Sequence, residues 1–204
     1  MMSEKRLLGK GRLATIVDGT FAIAITLLIF DIKLPEVAQT SAALYSGLLG
    51  MFPIFLDYIL SFVLLGFFWL AHNYHFRHIG KVDEKYIWLT IFWLMLVVLI
   101  PFSTKLVGEY GGLMISELFF HFNIFLIMLF LYFQAAYVDR HKELVDADRY
   151  EHESFKTSMK IVRRFVLVSL AGVALTFWVP DWSNLVYFVV PLFGFWERRR
   201  KRKS

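Results

Sequence analysis

The sequence predicts an all-α, multi-pass membrane protein with six transmembrane helices, and its composition is the first observation that predicts it. Of the 204 residues, 58% are hydrophobic and only 19% are charged, whereas soluble domains are about 45–50% apolar and about 25% charged. The apolar residues form long runs, and a helix needs about 20 of them to cross a bilayer. We expect one six-helix domain over 1–204, with the lipid bilayer as its surroundings and no soluble partner.

The distribution of positive charge is the second observation. The segments predicted on one side are a basic head at 1–11, a loop at 73–85, a polar segment at 139–160 and a basic tail at 197–204. These segments and the helix ends beside them hold all of the 22 Lys and Arg residues except Lys33 and Lys105. Because cytoplasmic loops are enriched in Lys and Arg, both termini are predicted to be cytoplasmic. The net charge of +5 therefore reflects orientation and does not indicate nucleic-acid binding.

The first two spans are bounded by proline and by polar residues. The first covers 13–32 and ends before Pro35. The second ends near His72, and its start is open between two interpretations. One is a single helix from about Ala43 that is kinked at Pro53, and the other is a short outer helix followed by a span from Pro53.

The remaining spans follow at similar spacing. The third covers 86–104, and a turn is predicted at 108–112, GEYGG. The fourth covers 113–138 and is expected to continue as a polar helix through DRHKELVDADRYEHESFK. The fifth covers 161–179. The sixth, at 183–196, has roughly 14 residues against the usual 17–25, but an even number of spans agrees with both termini on one side.

The first span carries small or hydroxylated residues three or four apart, which places them on one helix face. They are Thr15, Gly19, Ala22 and Thr26. Such a row is typical of close helix packing, and it also suits the wall of a pore. The adjoining face carries the large apolar residues Ile23, Leu27 and Phe30, which are equally compatible with lipid contact.

Asp18 is a charged residue well inside this span. A carboxylate at mid-membrane costs about 2.5–3.5 kcal/mol on insertion scales, and is usually paired or faces a cavity. Arg12 lies roughly 9 Å away along the helix axis. His72 lies at the end of the second span, on the same predicted cytoplasmic side. We therefore predict a structural polar cluster of Arg12, Asp18 and His72 that orients the first helix. The alternative is that Asp18 extends to the membrane interface.

The stretch RLATIVDGTFAIAITLLIFDI, from Arg12 to Ile32, resembles the first helix of the transmembrane protein 175 family of potassium channels. That family's signature is an arginine, three residues, then Phe-Ser-Asp and a Gly-Val-Phe-Ala-Ile-like sequence. Arg12 and Asp18 keep the ends of the pattern, while Ile16 and Val17 stand where Phe and Ser are usual. The sequence FWLAHNYHF around His72 adds to the resemblance.

The resemblance implies a potassium-permeable cation channel, assembled as a homotetramer in the bacterial plasma membrane. It implies that the first helix lines the pore and that a hydrophobic constriction replaces a carbonyl selectivity filter. Ile23 then forms the tightest ring, Leu27 a second apolar ring and Phe30 a further one. Thr26 contributes a ring of hydroxyl groups that acts in selectivity. No cofactor is expected, and K⁺ is the permeant ion.

Other functions find less support in the sequence. The segment HNYHFRH at 72–78 lacks the carboxylate of an HExxH motif, so no metal ligands are predicted. In LVGEYGG, Glu109 interrupts the continuous run that a carbonyl filter requires. A small proton-coupled transporter that uses Asp18 and His72 as a relay is the main alternative. An intramembrane or lipid-modifying enzyme is a third class, but the sequence contains no nucleophile elbow, P-loop or dinucleotide motif, and we expect no enzymatic activity.

Overall fold

The computed structural model of the chain describes residues 8–148 and 150–189, and the helices in this part are joined by short connections. The α-helices are α1 Gly11–Leu27, α2 Ser41–Gly50, α3 Phe52–Phe76, α4 Glu84–Val98, α5 Ile100–Tyr110, α6 Met114–Arg140 and α7 His152–Thr176. Short 3₁₀ helices cover Leu28–Asp31, Lys142–Leu144 and Pro180–Val189. Two strands, β1 Leu8–Gly9 and β2 Lys81–Val82, pair antiparallel with Leu8 opposite Val82.

Four helical segments in the described part are long and apolar enough to cross a membrane. They are Gly11–Asp31, Phe52–Phe76, Glu84–Tyr110 and Met114–Arg140. They match the first four predicted spans, and the all-α membrane class is confirmed. Most of the fifth predicted span, 161–179, lies in α7, which ends at Thr176, and Arg163 and Arg164 lie near the start of that span. The sixth predicted span starts in the last 3₁₀ helix and continues outside the described residues, so the count of six remains a prediction.

The structure decides between the two interpretations of the second span in favour of two helices. The short outer helix α2 begins after Thr40, whose side-chain oxygen accepts a hydrogen bond from the backbone N–H of Ala43 at 3.2 Å. Such capping satisfies one of the free N–H groups at a helix start. The chain then turns at Met51, and Pro53 lies in the first turn of α3, where its missing N–H is tolerated.

The third span bends at Leu99, between α4 and α5, because Pro101 cannot donate a hydrogen bond to the carbonyl of Val97. The backbone N–H of Leu99 bonds to the carbonyl of Leu96 at 3.2 Å instead. The helix then continues to Tyr110, so the turn predicted for 108–112 is wrong in its first part. The chain turns at Gly112, whose φ of 81° favours glycine.

The polar continuation predicted for the fourth span is also wrong. Helix α6 ends at Arg140, and the chain folds back onto the loop that follows α3. The Gly80 N–H donates to the carbonyl of Leu144 at 2.8 Å, and the Asp146 N–H donates to that of His78 at 2.9 Å. Leu144 is fully buried by this arrangement, which a continuing polar helix would have prevented.

The core lies between the helices and has two parts. The larger part joins α1, α3, α4, α6 and α7 through residues such as Phe21, Phe68, Trp93 and Ile124. The smaller part lies at the basic end of the molecule, where Leu13 of α1 meets residues of α3, α4 and α6. Helix α1 lies at the edge of this arrangement, so one of its faces has no partner among residues 8–148 and 150–189.

The close approach of α6, α7 and the last 3₁₀ helix at Gly172 provides a test of this packing. A Cβ atom on Gly172 would lie 2.6 Å from Nδ1 of His121 and 3.1 Å from the hydroxyl of Tyr187. We expect Gly172→Ala to lower the free energy of unfolding in detergent by about 1–3 kcal/mol, because the buried side chains must move. Gly66→Ala in α3 is the control, since a Cβ there meets nothing within 4 Å. Equal melting temperatures for the two variants would contradict the packing described.

Candidate functional site

Helix α1 buries one face and exposes the other. Its buried residues are four, four, three and four apart: Leu13, Val17, Phe21, Ala24 and Leu28. The predicted constriction residues lie away from this face, with Ile23 61%, Leu27 40% and Phe30 78% exposed. The three side chains are therefore available for contact with lipid, water or another copy of the chain.

The small residues of α1 are exposed as well. Thr15, Gly19, Ala22 and Thr26 all belong to the exposed part of the helix. A Cβ atom on Gly19 would meet nothing within 4 Å, so the small size of this residue serves no packing against the other residues that the structure describes. No helix in the described part of the chain packs against this row, so both interpretations, close helix packing and a pore wall, concern contacts outside the single chain.

The hydroxyl of Thr26 has a defined hydrogen-bond role. Its Oγ1 lies 3.0 Å from the carbonyl oxygen of Ala22 and 2.9 Å from that of Ile23. A carbonyl oxygen only accepts, so the Thr26 hydroxyl donates its proton to the helix backbone. What remains for an outside ligand is the acceptor capacity of the oxygen, which suits a cation.

The outer end of this surface changes its helical geometry. From Leu28 to Asp31 the chain forms a 3₁₀ helix, in which residues three apart lie one above the other. Phe30, three residues after Leu27, is exposed on the same side of the chain as Leu27. The large, 78% exposed ring of Phe30 marks the outer limit of the apolar surface.

The predicted polar cluster is not formed by direct contacts. Asp18 Oδ1 accepts a hydrogen bond from Nε1 of Trp69 at 2.8 Å, while neither ring nitrogen of His72 has a hydrogen-bond partner in the described part of the chain. His72 is buried and stacks between the rings of Trp93, at 4.7 Å, and Phe76, at 4.9 Å. The structure therefore gives Asp18 and His72 separate partners.

Helical geometry explains this separation. Six residues turn a helix by about 600°, so the side chains of Arg12 and Asp18 leave α1 about 120° apart. Trp69 and His72 leave α3 about 60° apart, and only Trp69 is directed to the exposed side of α1. The signal for Trp69 was present in the sequence, because an indole N–H in an apolar span needs an acceptor.

Other polar groups near this end are paired within the core. The His75 Nε2 lies 3.2 Å from the hydroxyl of Tyr86, and the Tyr137 hydroxyl donates to Asp83 at 2.6 Å. Within residues 8–148 and 150–189, no three His, Asp or Glu side chains are grouped closely enough to hold a metal ion. Beyond Asp18, the exposed surface of α1 around Ile23 offers apolar side chains and the hydroxyl oxygen of Thr26.

Comparisons with known proteins agree with these features. The profile of a family described as the endosomal/lysosomal potassium channel TMEM175 matches residues 12–101. A potassium channel of Streptomyces collinus is 38% identical over 100 residues, which cover 49% of this chain and 48% of that protein. The match thus spans about half the length of that relative.

Two further relatives extend the similarity over almost the whole chain. A potassium channel of a Chryseobacterium species is 28% identical over 202 residues, which cover 96% of this chain and 97% of that protein. The crystal structure of a lysosomal potassium-selective TMEM175 homologue from Chamaesiphon minutus superposes with a TM-score of 0.75 at 26% identity. That superposition covers 90% of this chain and 95% of the other.

The pairing of Asp18 with Trp69 can be tested by a double-mutant cycle. We expect Asp18→Ala and Trp69→Phe to be non-additive in thermal stability, with a coupling free energy of about 1 kcal/mol, because each removes one partner of the same hydrogen bond. The matched cycle combines Asp18→Ala with His72→Phe, which keeps a ring in the stack, and it should be additive. Coupling in the second cycle and not in the first would restore the predicted cluster.

Proposed function

Because the chain belongs to the TMEM175 family of ion channels, we propose that it is the subunit of a potassium-permeable channel in the bacterial plasma membrane. In this proposal four identical chains surround one pore, both termini lie in the cytoplasm, and α1 of each chain lines the pore. A hydrophobic constriction at Ile23, Leu27 and Phe30 replaces a carbonyl filter.

The exposed face of α1 is the observation that carries this proposal. This face is apolar at Ile23 and bears an acceptor oxygen at Thr26, yet both residues are exposed in the described part of the chain. A single helix cannot enclose a path for ions, so a pore built on α1 requires several copies of the chain. The family comparison and the buried opposite face of α1 both support this orientation.

The position of Ile23 suggests how ion flow is limited. Ile23 is about 11 residues from Arg12 and about 10 from Lys33, which places it near the bilayer centre. Four isoleucine side chains around an axis form a narrow apolar neck, which blocks ions by excluding water. The next turn of α1 presents Thr26, whose oxygen can partly replace the water that an ion loses.

The transporter alternative loses support from the structure. A relay between Asp18 and His72 requires a path for protons between the two side chains. Instead, Asp18 bonds to Trp69, and His72 is enclosed by aromatic rings. These two residues therefore have structural roles in the proposal, holding α1 against α3 and α4.

Single-channel recording of the purified protein in defined lipid separates these functions. A channel gives unitary currents driven by the K⁺ gradient alone, and its reversal potential follows K⁺ more closely than Na⁺. A saturating flux that depends on a proton gradient would support the transporter. An enzymatic activity that is lost when a chelator removes bound metal would indicate a metal-dependent enzyme.

We expect substitution of Ile23 by alanine or asparagine to raise the unitary K⁺ conductance and to admit larger cations. The change removes apolar bulk from the constriction, so water and ions enter more easily. Ile59→Ala, on α3 and similarly exposed at 50%, is the control and should leave conductance unchanged. Wild-type conductance in stable Ile23→Ala tetramers would place Ile23 outside the pore.

We expect Thr26→Val to weaken the preference for K⁺ over Na⁺ while current persists. Valine keeps the shape of the side chain but removes the oxygen that can contact an ion. The control is Thr20→Val, because Thr20 makes the same kind of bond, to the carbonyl of Ile16 at 2.8 Å, on another face of α1. The measurement is the reversal potential in mixed K⁺ and Na⁺, and an unchanged value for Thr26→Val would argue against this role.

A further inference from the structure

The strand β1 leads into α1 without a linker. Gly9 ends the strand, Lys10 occupies the N-cap position, and Gly11 begins the helix. Gly9 lies opposite Lys81 in the antiparallel pair, as Leu8 lies opposite Val82. Because only Lys10 separates the strand from the helix, the position of the β1–β2 pair determines where α1 begins.

Lys10 adds a second connection at the same point. Its Nζ donates hydrogen bonds to the backbone carbonyls of Phe76, at 3.3 Å, and Arg77, at 3.4 Å. These carbonyls lie at the carboxyl end of α3, where the last carbonyl groups lack partners within the helix and a cation is favoured. The ammonium group also lies 5.5 Å from the centre of the Phe76 ring. Lys10 therefore joins the start of α1 to the end of α3.

The partner strand β2 belongs to a well-packed layer. Val82 is buried in the small core that contains Leu13 of α1. The preceding Gly80 bonds to the carbonyl of Leu144, and a Cβ on Gly80 would lie only 3.3 Å from the Cα of Asp146. The start of α1 is thus attached to a layer that connects α3, α4 and the segment after α6.

We propose that these contacts form a positioning element of the pore, which we call the inner clasp: β1, Lys10, β2 and the carbonyls of Phe76 and Arg77. This inference rests on the proposed function, since it assigns the clasp to the channel. The clasp lies within one subunit and fixes the inner end of α1 to the body of that subunit. Any movement of α1 relative to α3 during opening or closing must strain or break it, so the clasp controls the rate of switching.

A reversible cross-link tests this role, because the chain has no cysteine. Opposed residues of an antiparallel pair have Cα atoms about 4.5–5.5 Å apart, a separation that a disulfide can bridge. We expect oxidation of the Leu8→Cys, Val82→Cys double variant to lower the rate of open–closed transitions at least about fivefold. Reduction should restore the rate, and unitary conductance and ion preference should stay unchanged. The two single-cysteine variants are the controls and should not respond to oxidation.

Loss of Lys10 should act in the opposite direction. We expect Lys10→Met to raise the transition rate about threefold or more, because α1 and α3 then separate more easily. Lys85→Met removes the same charge from an exposed position in the first turn of α4, and it should leave the rate unchanged. If both variants raised the transition rate equally, the loss of one positive charge would explain the effect, and the proposed role of Lys10 would be overturned.

The outcomes separate the clasp from the proposed function. A cross-link that forms, as shown by mass spectrometry, but leaves the transition rate unchanged would overturn the clasp alone. Failure of the two cysteines to cross-link would also overturn it, because the strands would then not be paired in the assembled channel. A wild-type protein that carries no K⁺ current would refute the proposed function and the gating role together.

Discussion

The candidate pore surface depends on a column of aromatic rings behind α1. Phe21 of α1 lies 5.4 Å from Trp93 of α4, Trp93 stacks on His72 of α3, and His72 stacks on Phe76. All four are buried, and rings of this size contribute much of the packing energy of a core. Two residues turn a helix by about 200°, so burying Phe21 directs Ile23 to the opposite side. The rotation of α1 about its own axis is therefore decided by Phe21, and which residues of α1 are exposed follows from it.

Polar side chains inside the spans are satisfied mostly by nearby helix backbone. The hydroxyls of Thr90 and Ser103 donate to the carbonyls of Tyr86 and Ile100, both at 2.9 Å. Between helices, Thr104 donates to Ser61 at 2.7 Å and joins α5 to α3. Lipid offers no hydrogen bonds, so polar groups are retained in a span where the protein itself supplies a partner. Asp18 follows the same rule through the indole of Trp69.

The outer end of α1 is held differently from its inner end. Lys33 lies 3.1 Å from Glu109, and Lys105 lies 3.8 Å from Asp31. Both ion pairs connect the end of α1 to α5, and they use the two lysines that charge patterning places outside. Exposed ion pairs add little stability, so these contacts orient the segment after α1 more than they stabilise it. The hydrogen bonds and strand pairing at the inner end make the firmer attachment.

The sequence by itself determined the membrane class, the first four spans and the grouping of basic segments at one end. These properties are local, because hydropathy and charge are read along a single stretch of chain. The sequence also placed Ile23, Thr26, Leu27 and Phe30 on α1 near one another, since helical spacing alone does so. Only the tertiary structure showed that no other helix in its described part covers them.

Only the tertiary structure decided which partner each polar group takes. Spacing and depth brought Asp18 and His72 to the same level of the membrane, but they could not say which side of α3 faces α1. That rotation is decided by how the aromatic rings of three helices pack, and it selects Trp69 for Asp18. The fold-back at 144–146 was missed for the same reason, since Leu144 is buried by a loop distant in sequence. Residue spacing within one segment shows which residues share a helix face. Packing between segments determines which residues each face contacts.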